Sequence, residues 1–166
     1  MTEETNLTDE GRRNFIGAAA AVGGIGALIG SSAVRAQTSP AKQYIKREAS
    51  QRSGYSQAVI TQGGRTIWLA GHTADTQANP SLVGNFEGQV RAVFAFLEET
   101  LQKAGGKLSD IVTMSVSITD PRNHSTFTRV RREILGDNFP ASAVVSVSHL
   151  AVPSLLVEVQ AVAVVD

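Results

Sequence analysis

Few side chains in this sequence are able to move a proton or hold a charge at a site, and their surroundings sort them. His72 ends the β-rich run Arg65-Thr66-Ile67-Trp68-Leu69-Ala70-Gly71. An imidazole with an unperturbed pKa of about 6.5 serves as acid or base near neutral pH, although a polar residue after a strand is often only solvated. Glu158 alternates with Val157 and Val159, so on a strand it lies on the opposite face from those valines. Gln160, two residues further on, can hydrogen-bond a water but cannot take its proton at neutral pH. Arg65, Arg122, Arg129, Arg131 and Arg132 are candidate cations for an anionic ligand; the last three, close together, read as the solvated face of a helix. There is no cysteine, which excludes disulfides, thiolate catalysis and cysteine-ligated metals. The three histidines, His72, His124 and His149, are scattered without metal-ligand spacing. Fifteen basic and fifteen acidic side chains cancel, so the chain lacks the basic footprint of a nucleic-acid or anionic-membrane binder.

The elements that must position these residues occupy only part of the chain. From Phe15 to Val34 there is no charge, and the run follows Gly11-Arg12-Arg13-Asn14-Phe15-Ile16. The pattern resembles a twin-arginine export signal, ending at Val34-Arg35-Ala36, with cleavage expected after Ala36. About 20 apolar residues would also suffice for an uncleaved anchor. Five glycines between Gly17 and Gly30 weaken that alternative, each costing a helix roughly 1 kcal/mol relative to Ala. The expected organisation is a signal over 1–36, a short leader over 37–43 and one domain over 44–166, placing the mature protein in the periplasm, off the membrane.

Within that domain, Tyr44 to Ala49 reads as an edge strand. Ala58 to Thr61 and Arg65 to Ala70 read as a hairpin closed by Gln62-Gly63-Gly64. Phe86, Val90, Val93, Phe94, Leu97 and Leu101 fall at helical spacing before the stop Gly105-Gly106. Val112, Met114, Val116 and Ile118 alternate with polar residues as a half-buried strand should, and Asp120-Pro121 ends it. Ser125 to Leu135 is a second helix, with Phe127, Val130 and Ile134 on one face. Val144 to Ser148 and Leu155 to Val165 are the closing strands, with a turn at Pro153-Ser154. The order β-β-β-α-β-α-β-β predicts an α+β fold, a mixed sheet with two helices on one face. Ile67, Leu69, Val145, Val147, Val157 and Val159 supply more apolar strand surface than two helices cover, which predicts burial against other copies of the chain.

Four segments then carry a specific resemblance: Ser53-Gly54-Tyr55-Ser56-Gln57-Ala58-Val59, Trp68-Leu69-Ala70-Gly71-His72-Thr73, Phe139-Pro140-Ala141-Ser142, and Leu156-Val157-Glu158-Val159-Gln160-Ala161-Val162-Ala163. In order and spacing they resemble the RidA (YjgF-like) family over about residues 44–165. The resemblance implies a chorismate-mutase-like fold and a homotrimer with a central barrel and clefts between subunits. It also implies hydrolysis of small imines and enamines to carbonyl compounds and ammonia, with no metal or organic cofactor.

Carried over residue by residue, the resemblance makes Tyr55, Gly71, Thr128, Ser142 and Val144 substrate-binding positions and puts Gln160 and His72 at the reacting centre. Tyr55 and Gly71 match the family. Ser142 stands where active members have a carboxylate-clamping arginine, Gln160 where they have the acid that orients water, Thr128 where they have asparagine, and His72 where they have glutamine. Losing a charge-assisted hydrogen bond costs roughly 1.5–3 kcal/mol, about ten- to more than a hundredfold in affinity. The chain resembles the subgroup lacking the arginine. Two functions follow as expectations: an imine or enamine deaminase, or a non-catalytic trimer that binds a small ligand or acts like a chaperone.

Overall fold

Alternation along the strands decides the architecture. In the computed structural model, which describes residues 41–166, the chain runs β1 (Ala41–Ile45), α1 (Glu48–Arg52), β2 (Ala58–Gln62), β3 (Arg65–Thr73), α2 (Phe86–Lys103), β4 (Ile111–Ile118), α3 (His124–Leu135), β5 (Ala141–Ser146) and β6 (Val157–Val165). The export segment expected over 1–36 lies outside the described residues. A four-stranded sheet has the order β3-β6-β4-β5. Its neighbours are antiparallel except for β4 and β5, which run parallel because α3 carries the chain back between them. The sheet is therefore mixed, as expected.

Every second residue of these strands faces the helices. Leu69, Met114, Val116, Ile118, Val157, Val159, Ala161 and Ala163 join Val90, Val93, Phe94, Leu97 and Leu101 of α2 and Phe127 and Val130 of α3 in one core. Both long helices thus cover the same face. Asn85 caps α2 by accepting a hydrogen bond from the Gly88 amide at 2.9 Å. Gln89, fully buried on α2, donates to the Leu82 and Ser154 carbonyls at 2.9 and 2.8 Å and accepts from the Leu156 amide at 2.8 Å. It fixes the end of the 147–156 connection ahead of β6. Across the outer side, Glu87, Arg91, Glu133 and Arg129 close a square of four ion pairs between α2 and α3, each 2.6–2.7 Å.

Four expectations need correction. The predicted hairpin does not form: β2 pairs with β1, from Ala41 with Gln62 to Ile45 with Ala58, while β3 pairs with β6. β3 is nine residues long and finds in β6 a strand of equal length whose Val159, Ala161 and Ala163 extend the core beneath Leu69. The shorter, largely exposed β2 offers no such face, and Gly63 and Gly64, both at positive φ, turn the chain from one pairing to the other. The strand expected over Tyr44 to Ala49 runs instead over Ala41–Ile45, because the Ser50 hydroxyl bonds the Arg47 amide and carbonyl and opens α1. The Lys42–Asp110 ion pair, 2.7 Å and mostly buried, holds β1 to the start of β4.

β5 begins at Ala141 and ends at Ser146, earlier at both ends than expected, so Ser142 is a strand residue. Finally, Leu69, Val157 and Val159 are covered by this chain's own helices. On the opposite face of the sheet Trp68 is 80% exposed, and Val145, one of the residues expected to stay uncovered, is 53% exposed.

Candidate functional site

The expected site residues fall into two groups, at opposite edges of the sheet. The first gathers at β5. Ser142 and Val144 share the helix-facing side of that strand, Val144 packing against the core. The segment before β2 docks beside them. Ser56 donates its amide to the Pro140 carbonyl at 3.0 Å and its hydroxyl to the Phe139 carbonyl at 2.6 Å, forming a parallel bridge to Ala141. This places half-buried Tyr55 next to the entry of β5, its carbonyl accepting from Gln51 Nε2 at 3.0 Å.

Thr128 looks onto the same region from α3, and so does a residue the sequence reading misplaced. Arg131 was expected on a solvated helix face, yet it is 1% exposed. Its position explains the burial: Phe127, Val130, Arg131 and Ile134 recur at i, i+3, i+4 and i+7, the period of the core-facing stripe. The guanidinium lies 5.0 Å from the Phe127 ring centre, donates to Ser142 Oγ at 2.9 Å and to the Ser53 carbonyl, and leaves Nε without a partner. Burial pushes its pKa down to about 10, against the opposing influence of nearby Tyr55, so it remains a cation at neutral pH. Gly54, at φ +71°, passes directly over it; a Cβ there would stand 2.7 Å from Arg132 Cγ and 3.4 Å from Arg131 Nε. Arg129 is engaged in the ion-pair square, and Arg65 donates to the Ala104 carbonyl.

The second group gathers on β3 and β6. Leu69 pairs with Ala161 and His72 with Val159, so Ala70 and Gly71 together oppose Gln160 in a bulge. Gly71 is packed against Glu158: a Cβ on it would meet Oε1 at 2.0 Å. Glu158 and Gln160 both face away from the helices, as their alternation required. His72 turns the other way. Its Nδ1–H donates to the Ala70 carbonyl at 2.8 Å, and Nε2 accepts from Thr100 Oγ1 of α2 at 3.2 Å. Both nitrogens are used, and the ring ties β3 to α2 rather than joining Gln160.

Within one chain the two groups do not converge. Gln160 pairs with Ser115, whereas Ser142 pairs with Met114, so they point to opposite faces. Two strands separate β3 from β5, about 14 Å at the usual interstrand spacing. Sequence reasoning missed Arg131 because a charged residue type overrode its helical position. It also missed the fit of Glu158 over Gly71, which no spacing rule encodes.

A mixed sheet covered on one face by two helices defines an α+β protein. Residues 45–165 match the family described as endoribonuclease L-PSP, and the chain belongs to that family, the RidA/YjgF family. Over 111 residues it is 31% identical to a Bos taurus protein named 2-iminobutanoate/2-iminopropanoate deaminase, covering 66% of this chain and 79% of that one. It is 29% identical over 110 residues to a RutC family protein of Pyrococcus horikoshii, covering 66% and 85%. Among solved structures, YyfB of Yersinia pestis, a Rid family protein of unknown function, matches with a TM-score of 0.65 at 31% identity, covering 74% of this chain and 98% of that one.

Proposed function

We propose that this protein hydrolyses small imines or enamines to carbonyl compounds and ammonia, and that it does so as a homotrimer whose site joins the β5 edge of one copy to the β3–β6 bulge of the next. The observation that carries the reading is the docking of Tyr55 against Pro140 to Ser142 through Ser56, which unites two segments about 85 residues apart at the sheet edge. Relatives named as deaminases support the reaction. The bare Trp68 and Val145 support association, since an exposed aromatic on an open sheet face favours burial against another copy.

In the proposed reaction, water adds to the C=N carbon, the tetrahedral adduct receives a proton on nitrogen, and its collapse releases ammonia and the carbonyl product. Gln160 orients the water by hydrogen bonding. An enamine first tautomerises to the imine; Glu158, the neighbouring carboxylate on the same strand face, then takes one proton of the attacking water and gives it to nitrogen, and next takes the adduct's hydroxyl proton and passes it to nitrogen as the C–N bond breaks and the carbonyl forms. Gly71 gives that carboxylate its room. No organic cofactor or metal is invoked.

The test is ammonia and keto-acid release from 2-iminopropanoate and 2-iminobutanoate generated in situ by an amino-acid oxidase. Acceleration over spontaneous hydrolysis is expected; none would favour the second reading, a trimer that binds a small ligand without turnover, for which Ser142 and Gln160 in place of charged residues speak. Membership of the arginine-lacking subgroup and export to the periplasm by the twin-arginine route belong to the same proposal. Recovered periplasmic protein should begin at Gln37, and an intact Met1 would end the cleavage claim.

A further inference from the structure

The face of the sheet turned away from both helices carries one large aromatic. Trp68, exposed on β3 and the chain's only tryptophan, lies opposite Val162 of β6, which in turn lies opposite Thr113 of β4. Gln160 is the diagonal neighbour of the indole, two residues from Val162, and Ser115 stands opposite it on β4. Such a diagonal spans roughly 7–8 Å, within reach of an aromatic side chain. The bulge keeps the space between them open, because Ala70 and Gly71, which oppose Gln160 on β3, contribute at most a methyl group.

These side chains bound a recess of about 200 Å³. A cavity of about 150 Å³ accepts benzene, so the recess has room for a six-membered ring and a few atoms more. None of its lining residues carries a charge. The side chains of Thr113, Ser115 and Gln160 have no hydrogen-bond partner among the described residues. A neutral floor with idle polar groups and an indole wall suits a flat ring attached to a polar reacting atom.

We infer that Trp68 is the specificity-determining residue of the proposed site: its indole stacks on an aromatic ring of the substrate and so holds the C=N carbon at the water that Gln160 orients. Offset stacking is the arrangement that aromatic pairs prefer, and an open recess beside the indole permits it. The substrate class is an imine or enamine bearing an aryl group, in preference to the smallest aliphatic imines. An indole has two faces, so one lies over the recess while the other packs against the next copy of the chain. The inference rests on the proposed function for the place of reaction, but stacking is read without turnover.

Because the chain has a single tryptophan, its emission reports this recess alone. Titration of the full assembled protein with 3-phenylpropanoate should change the emission saturably. The probe 3-cyclohexylpropanoate, of the same charge and chain length but without a π face, should bind more weakly. By calorimetry, Trp68→Leu should lose roughly two- to tenfold in affinity for the aryl probe, the fold-change of one aromatic pair, and Trp68→Phe should recover most of it. In turnover, wild type should prefer 2-imino-3-phenylpropanoate to 2-iminopropanoate, and Trp68→Leu should remove that preference through KM. Wild-type emission with no saturable response to the aryl probe overturns the inference, and this reading needs no variant to fold. So does a Trp68→Leu protein that keeps its affinity for the aryl probe and loses only trimer stability, since Trp68 would then be a subunit contact alone. A saturable response without hydrolysis of either imine would keep the stacking site and sink the deaminase reading; hydrolysis of both imines with unresponsive emission would do the reverse.

Discussion

Replacing Gln89 with leucine should unfasten the connection that sets β6 in place. The side chain is fully buried and makes three hydrogen bonds, to the Leu82 and Ser154 carbonyls and from the Leu156 amide. Leucine has similar bulk and keeps the apolar contacts of the α2 face, so the loss is almost purely polar. At about 1 kcal/mol net for each bond, with the three backbone groups half-buried and partly reached by water, the cost is about 3–4 kcal/mol. A domain of this size loses roughly 3–5 °C of Tm per kcal/mol, giving a drop of about 10–20 °C. Urea and thermal unfolding at one fixed protein concentration measure it, since association makes both concentration-dependent. Glu99→Gln is the control, because its ion pair with Lys103 is exposed and should matter little. Amide exchange should accelerate first at Leu156. A Gln89→Leu protein within about 1 kcal/mol of wild type would refute the view that this side chain secures the approach to the site strand.

Other perturbations test the remaining parts. Gly71→Ala places a methyl where the Glu158 carboxylate lies, so Glu158 must swing away; activity should fall sharply while stability changes by about 1 kcal/mol, and adding Glu158→Ala should cause no further loss, which parallel assays of the single and double variants would show. Glu87 and Glu133 are held below the usual carboxylate range by hydrogen bonds from Arg129 and Arg91, so their contribution is complete above their unfolded pKa and is lost as pH falls through the lower folded values; urea midpoints of wild type should decline on that acid limb more steeply than those of Glu87→Gln with Glu133→Gln. Gln160→Glu should raise hydrolysis of 2-iminobutanoate, and no gain in a folded trimer would mean that the cleft does not position this substrate.

The legible parts of the fold were those in which a single period accounts for every residue. Phe86, Val90, Val93, Phe94, Leu97 and Leu101 could only be one buried helix face, and Met114, Val116 and Ile118 one strand face. Partner choice was less visible. Gly63-Gly64 suits a tight hairpin locally, but the ladder of β3 with β6 wins through core burial, a long-range quantity absent from the turn residues. The same gap explains the site. Tyr55, Ser142, Gly71 and Gln160 were assigned by resemblance alone, whereas the direction of His72 depends on a bulge, and the burial of Arg131 on which of two adjacent helix stripes meets the sheet.

Putting the two residue groups at opposite edges of one sheet has a genetic consequence on the proposed assembly. Each functional cleft draws on two different chains, so a chain defective at β5 and another defective at the bulge would each be inactive alone. Mixed together, their heterotrimers contain clefts assembled from two sound halves, and activity returns without either defect being repaired. Two lesions in the same half could not rescue one another in this way, so the pattern of rescue among mutants would map which residues face each other across the boundary.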